Sequence, residues 1–368
     1  MKRVLFPERA NWQQAHQEIG FDYYNLPSRD GSMYWSEGVA YEFSLKQIEQ
    51  LEDASNELHQ MCLEVAGDMI QRGHYPEYFQ IPPAAIPLIE HSWKNQAPML
   101  YGRFDFAYDG QAIKMLEYNA DTPTGLLEAS VAQWHWIEQV ENIENRDQFN
   151  SIHEKLIERW KQLYPTRSRV HFAACQEAGR EDWGNLEYLM DTAFQAGLNV
   201  SELSMENIGW NGTAFVDLHQ QEIQHLFKLY PWEWIWEENF SQFLKPETEW
   251  IEPCWKMLLS NKALLIELWK RFPNHPLLLE THAYDAHAHY AGKWVRKPIL
   301  AREGANIHIL QNNVDCGAAS GSFYFDDYDK YGYVMQRWVK TPLHEGMLPT
   351  LGLWMVGDEC AGMSLRED

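Results

Sequence analysis

The 368 residues carry a formal charge of −23, with 45% hydrophobic and 14% aromatic side chains. That size and apolar content fit a folded protein of two or three lobes, and the acidity argues against nucleic-acid binding through phosphate neutralisation. Five scattered cysteines without a C-x-x-C pair point to free thiols in a reducing compartment.

The apolar run in Met1–Glu8 is too short for a signal peptide, and no segment is long and uncharged enough for a membrane span, so a cytoplasmic location is expected. Residues 1–40 read as loop-rich and aromatic, with a turn cluster at Asn25–Ser32. From Leu45 to about Arg72 apolar residues recur at helical spacing behind Ser44, a suitable N-cap.

The most informative segment follows. In Tyr101-Gly102-Arg103-Phe104-Asp105-Phe106 charges alternate with rings, as in a strand with one packed face. In Leu116-Glu117-Tyr118-Asn119-Ala120-Asp121, Glu117 and Asn119 share a face. Oxygen ligands of Asp, Glu and Asn suit Mg²⁺ held against phosphates, and Arg103 adds a positive fork. A two-residue loop at Asp109-Gly110 would turn Glu117 and Asn119 to the wrong face. A three-residue loop (Asp109, Gly110, Gln111) is therefore expected, pairing Tyr108 with Ala112, Asp105 with Met115 and Arg103 with Glu117.

Helices are expected over Leu126–Val140 and Phe149–Leu163. Next come a strand at Val170–Cys175, a helix at Trp183–Ala196 closed by Gly197, and a strand at Asn199–Leu203. That order predicts a small parallel α/β lobe, and no Gly-rich fingerprint marks it for a dinucleotide. Trp232, Trp234 and Trp236 alternate as in a strand or loop wall. Strands are expected at Trp294–Leu300, Ile307–Leu310, Tyr333–Val339, Leu351–Val356 and Ala361–Leu365. His282, His287 and His289 lack metal-ligand spacing and read as a polar loop; Cys175 and Cys316 read as buried.

Lys297, in Val295-Arg296-Lys297-Pro298-Ile299, precedes a loop with Arg302, Gly304 and Ala305. A lysine leaving a sheet beside a small-residue loop is one way to cradle a phosphate, although the spacing is not that of a P-loop. Lys262 is a second lysine expected to be partly buried, and Tyr333–Val339 offers an apolar wall for an adenine. Transfer of a γ-phosphoryl group to a carboxylate uses all of these parts.

With those segments in hand, the sequence resembles the glutathionylspermidine synthase-like carboxylate–amine ligases of the ATP-grasp superfamily, over essentially the whole chain. The resemblance is carried by Arg103-Phe104-Asp105, Leu116 to Thr124, Ser260-Asn261-Lys262-Ala263-Leu264, Lys297-Pro298-Ile299 and Arg302-Glu303-Gly304-Ala305-Asn306. It implies an α/β (α+β) fold of ATP-grasp type, with antiparallel sheets around a nucleotide cleft. Residues 1–165 and 245–368 would form the synthetase lobes, and 166–244 the small lobe. Asp105, Glu117 and Asn119 would hold a Mg²⁺ pair on ATP. Arg103 would stabilise the transferring phosphoryl group, with Arg302 beside it, and Arg103-Phe104-Asp105, Lys262, Lys297, Gly304 and Arg366 would meet the nucleotide. Gln336, Arg337, Trp338 and Val339 would form the adenine hinge. Thr122 and Thr124 would meet the acid, and Glu181 and Asp182 the amine. The partners implied are small-molecule acid and amine substrates, with no nucleic acid, membrane or obligate protein partner. Family serines and a cysteine are replaced here by Thr122, Thr124 and Gly125, and a family threonine by Leu229, so the acid need not be glutathione. The amidase domain of bifunctional members is missing from this stretch, which resembles the stand-alone synthetase branch.

Overall fold

The computed structural model describes residues 1–27, 33–141, 143, 146–319, 322 and 324–367; residues 28–32 of the expected turn lie outside that set. Among the described residues, three sheets of four or five strands organise the chain. No described helix is long and apolar enough to cross a membrane.

The first sheet is antiparallel, in the order Glu359–Glu367, Pro349–Val356, Tyr101–Tyr108 and Ile113–Asn119. The helix Leu45–Arg72 covers one side of it. Ser44 and Gln47 cap that helix reciprocally, each side chain accepting from the other's backbone N–H. Its stripe of Leu51, Leu58, Met61 and Val65 joins Phe104, Phe106, Met115 and Tyr118 in one core. Each fully buried side chain of this kind contributes roughly 1.5–3 kcal/mol. The Phe104 and Tyr118 rings stack with centroids 3.9 Å apart.

The register of the ribbon differs from the one expected. Tyr108 pairs with Ile113, closing a four-residue loop in which Asp109 Oδ1 accepts from the Gln111 and Ala112 N–H groups. Continued unbroken, that register would set Asp105 opposite Leu116 and send Glu117 and Asn119 into the core. A bulge at Leu116 prevents this: Phe106 pairs with Met115, but Asp105 pairs with Glu117 and Arg103 with Asn119. Met115 and Tyr118, three apart, therefore both face the core. Glu117 and Asn119 share the face of Arg103 and Asp105, as expected, by a different route.

The second sheet is parallel, in the order Glu249–Ile251, His225–Leu229, Arg169–Ala174 and Asn199–Ser204, so its last strand lies beyond residue 244. Its first two strands in the chain are joined by the helix Arg180–Gln195. Val170 and Phe172 pack with Trp160, Leu186 and Leu189 on one side, while Ala173 and Leu226 join the larger core on the other. With both faces covered, its two central strands are buried almost throughout. Asp121, just past the ribbon, locks the two sheets together: Oδ1 accepts from buried Lys228 Nζ at 2.6 Å and Oδ2 from the Trp232 N–H at 3.0 Å. The tryptophan-rich segment is a short helix, Trp232–Glu237, rather than a strand or loop wall; Pro231 ahead of it begins the turn.

The third sheet is antiparallel, in the order Thr281–Ala283, Tyr333–Arg337, Lys293–Pro298, His308–Gln311 and Val314–Ala318. The last is an exposed edge without apolar alternation, so sequence pattern misses it, and Cys316 on it is exposed rather than buried. Cys175 is half-buried, its thiol 3.0 Å from Glu206 Oε1.

Candidate active site

The polar face of the ribbon looks toward the third sheet. Arg103 Nε donates to Asp105 Oδ1 at 2.8 Å, and Asn119 Nδ2 reaches Asp105 Oδ2 at 3.4 Å and Glu117 Oε1 at 3.3 Å. Arg366, from the sheet's edge strand, also donates to Asp105. The aliphatic stem of Arg103 lies over Gly352 on the adjoining strand, where a Cβ would come within 3.0 Å of Arg103 Cδ. Phe104 does not join the site: strand alternation sends its ring into the core.

Two lysines close the cluster from outside the ribbon. Lys262 Nζ is 3.1 Å from Glu117 Oε2 and donates to Ala301 O at 2.9 Å. Lys297 Nζ donates to the carbonyl of Leu116 at 3.1 Å and to Gln336 Oε1 at 2.7 Å. Burial would raise the Asp105 carboxyl, yet the Arg103 and Arg366 guanidinium groups outweigh it and hold it well below the carboxylate range. Glu117 is likewise lowered, because Lys262 and Lys297 outweigh its burial. For Lys297 burial prevails over Glu117, and its ammonium titrates at about 8.

Two carboxylates and an amide form a hard-oxygen donor set. No group of three or more His, Cys, Asp or Glu side chains suited to a metal exists among the described residues. An ion here would therefore draw on Asn119 and on oxygens of a substrate, which is how Mg²⁺ commonly binds beside phosphates. The residues fit such an ion, with cations already placed for anionic oxygens around it.

The loop after Lys297 folds toward the ribbon. Arg302 Nη2 donates to Thr122 Oγ1 at 2.6 Å, lies 3.8 Å from Glu233 Oε1, and stands over the Trp234 ring. Gly304, two residues on, is exposed in a left-handed conformation at φ 70°. Thr124 contributes its carbonyl, which accepts from Arg103 Nη1 at 2.6 Å. Glu181 and Asp182 occupy the first turn of the helix Arg180–Gln195. Burial and the charge of Glu181 push the Asp182 carboxyl up to about 6, with Arg302 opposing.

The strand Tyr333–Arg337 brings Gln336 to Lys297, but Arg337 turns away, its guanidinium donating to Ala291 O at 2.7 Å. The Arg337 and Trp338 N–H groups are bound to Glu280 O and Lys293 O. Trp338 and Val339 are half-buried just beyond the strand. Side chains near the site that sequence reading passed over are Asp121, Lys228, Glu233 and Glu128. Only Asp121 stood inside a motif, and nothing in the sequence distinguishes the others from ordinary charges.

Residues 3–368 match the family model described as glutathionylspermidine synthase preATP-grasp. The chain is 51% identical over 376 residues to a Haemophilus influenzae protein named "Putative acid--amine ligase", covering 100% of this chain and 95% of that one. It is 26% identical to the trypanothione synthetase of Crithidia fasciculata and 25% identical to the bifunctional glutathionylspermidine synthetase/amidase of Escherichia coli. Those matches cover 98% and 87% of this chain but 59% and 55% of the longer relatives. In structure it is similar to a glutathione synthetase-like effector from Globodera pallida in apo form, with a TM-score of 0.60 at 9% identity, covering 99% of this chain and 97% of that one. The mixed architecture of antiparallel sheets with one parallel sheet is thus of the ATP-grasp type. The chain belongs to the glutathionylspermidine synthase preATP-grasp family.

Proposed function

We propose that this chain is an ATP- and Mg²⁺-dependent ligase that joins a carboxylic acid to an amine through an acyl phosphate. The observation that carries the reading is the meeting of Asp105, Glu117 and Asn119 with Arg103, Arg366, Lys262 and Lys297, contributed by two different sheets and the segment between them. Mg²⁺, when bound by Asp105, Glu117 and Asn119, would neutralise charge on the nucleotide's phosphates.

In the first step a carboxylate oxygen of the acid attacks the γ-phosphorus of ATP, and the bond to the β-phosphate oxygen breaks, releasing ADP. Arg103, held by Asp105 and the Thr124 carbonyl, is aimed where the transferring group gathers negative charge. Lys262 and Lys297 bind the phosphates from the opposite side. Arg302 and Gly304 lie on the loop that would cover them, and Gln336 to Val339 flank the adenine. In the second step the amine's lone pair attacks the acyl carbon, phosphate leaves, and the nitrogen loses a proton. Asp182, which titrates at about 6, is suited to bind the ammonium and accept that proton, with Glu181 beside it.

Relatives named for trypanothione and glutathionylspermidine support a peptide-like acid and a polyamine-like amine. Thr122 and Thr124 would meet the acid. Leu229, where the family carries a threonine, argues that the acid differs from glutathione.

Incubation with Mg-ATP, candidate acids and hydroxylamine tests the first step, since hydroxylamine traps an activated acyl group as its hydroxamate and release of ADP rather than AMP marks that group as an acyl phosphate. Hydroxamate and ADP in equal amounts are expected. ATP binding with no ADP from any acid–amine pair would favour a nucleotide-binding module without catalysis.

A further inference from the structure

Arg366 reaches the site from the end of an edge strand. It stands opposite Thr350, whereas Asp105 stands opposite Gly352, so its guanidinium crosses diagonally over the middle strand to the carboxylate. Its own strand, Glu359–Glu367, has a ladder partner on one side only. Nearly half of the Arg366 side chain is exposed. A long side chain with that much rotamer freedom keeps one geometry only where its backbone is held.

The hold is on the next residue. Alternation sends Glu367 to the other side of the strand, where Arg3 grips it as a fork: Nε donates to Oε1 at 2.6 Å and Nη2 to Oε2 at 3.1 Å. The Tyr41 hydroxyl donates to Oε1 as well. Arg3 and Tyr41 stand directly opposite each other on the paired strands Lys2–Leu5 and Val39–Glu42, so both meet the carboxylate from one face. The pair is largely shielded, with 12% and 15% of the Arg3 and Glu367 side chains exposed. The remaining Arg3 contact, Nη1 to Glu345 at 2.8 Å, ends on a carboxylate 59% exposed and contributes little. Burial would raise the Glu367 carboxyl, yet Arg3 and Tyr41 outweigh it and hold it below its ordinary value.

The small two-stranded sheet is itself anchored. The Met1 ammonium donates to Gln47 Oε1 at 3.1 Å, and Gln47 Nε2 donates to the Gly110 carbonyl at 3.1 Å. The grip on Glu367 is thus tied, through the capped helix, to the loop of the ribbon that carries Asp105. Both ends of the Arg366–Asp105 contact are referred to one frame.

We propose that Arg3 and Tyr41 are positioning residues for the phosphate site: by clamping Glu367 they set Arg366 against Asp105, and so govern how tightly the terminal phosphate of ATP is held. This rests on the ligase reading and deepens its nucleotide site.

Calorimetry on the full chain with Mg²⁺ tests it, comparing the β,γ-imido analogue of ATP with ADP. Arg366→Met should cut the analogue's affinity relative to that of ADP about ten-fold, as expected for a lost charge-assisted contact. Arg3→Met should cut it about five-fold, and the double variant no further than Arg366→Met alone, because Arg3 acts through that residue. Arg3→Lys, which keeps the charge but not the fork, should fall between the native protein and Arg3→Met. A merely structural role for Arg3 would lower the melting temperature and leave the ratio of affinities unmoved. An unmoved ratio in Arg366→Met or Arg3→Met, or losses that multiply in the double variant, overturns the clamp. Should Arg3→Met not fold, Tyr41→Phe, which keeps the fork, carries the same comparison with a smaller loss. Hydroxamate formation separates this result from the ligase reading. Hydroxamate with multiplying losses removes the clamp alone, whereas a double variant no worse than Arg366→Met, without hydroxamate from any acid, removes the ligase reading and leaves the clamp at a nucleotide site.

Discussion

Lys297 Nζ binds the carbonyl of Leu116, the residue that bulges out of the ribbon. One irregularity therefore does two things. It turns Glu117 and Asn119 to the face of Asp105, and it offers an oxygen to the lysine across the cleft. Gln336 Oε1, 2.7 Å away, is the other acceptor. With its ammonium titrating at about 8, Lys297 is partly neutral in mildly alkaline solution. Bound phosphates favour its charged form, so ATP binding should take up a fraction of a proton at pH 8 and almost none at pH 6.5. Calorimetry in two buffers of different ionisation heat would reveal this. Gln336→Leu removes one acceptor, worth roughly 1–3 kcal/mol at a buried donor, and should weaken ATP binding more at pH 8 than at pH 6.5. Equal weakening at both would separate Lys297 from the nucleotide.

Asp105→Asn and Glu117→Gln should each lower ADP formation by at least about 100-fold, with a higher Mg²⁺ requirement. The two should differ in stability. Asp105→Asn leaves Arg103 and Arg366 without their buried counter-charge, a loss on the order of 3 kcal/mol, whereas the Lys262 ammonium freed by Glu117→Gln still reaches the Ala301 carbonyl. Thermal melts beside titrations of Mg²⁺ would check both. Unchanged turnover in either variant would remove the metal role assigned to it.

Elements whose apolar periodicity is uninterrupted were legible in the sequence. Leu45–Arg72 announces its face every three to four residues and its start by Ser44, and Arg169–Ser204 alternates strand, helix and strand at the lengths a parallel unit needs. The ribbon's shared polar face was legible too, but not its register: a longer loop and a bulge compensate in parity, and no residue type marks a bulge at a leucine. Glu128 was invisible for another reason. A glutamate in a run of good helix formers normally faces water; its burial comes from Tyr23 and Tyr34, about a hundred positions earlier. The short helix of Trp232–Glu237 shows local pattern yielding to tertiary context, since Trp232 is buried while Trp234 stands under Arg302.

Gly352→Ala probes the seat of Arg103. The added Cβ would meet Arg103 Cδ at 3.0 Å and Ser364 Oγ at 2.9 Å, so the arginine must shift away from the Thr124 carbonyl. Overpacking of this kind costs about 1–3 kcal/mol. The expected outcome is a modest drop in melting temperature with a disproportionate fall in hydroxamate formation, on the order of 100-fold. A stability loss with full activity would show that Arg103 need not hold that position.

Glu128→Gln should stabilise the protein in a pH-dependent way. Burial, reinforced by Glu181, raises the Glu128 carboxyl from 4.5 to about 7; Tyr34 and Tyr23, the other groups facing it, oppose this through their hydroxyls. Below pH 4.5 the side chain is protonated whether the chain is folded or not, and the native protein pays nothing for burying it. Between pH 4.5 and about 7 the unfolded chain is ionised while the folded one keeps its proton, so stability falls across that window by roughly 3 kcal/mol and levels off above it. Glutamine escapes this loss, keeps an oxygen for Tyr34 and offers an N–H to Tyr23. Denaturant titrations should therefore find the variant more stable at pH 8 and indistinguishable near pH 4. A variant less stable than the native protein at pH 8 would show that the hydroxyls of Tyr34 and Tyr23 outweigh the burial of the carboxylate.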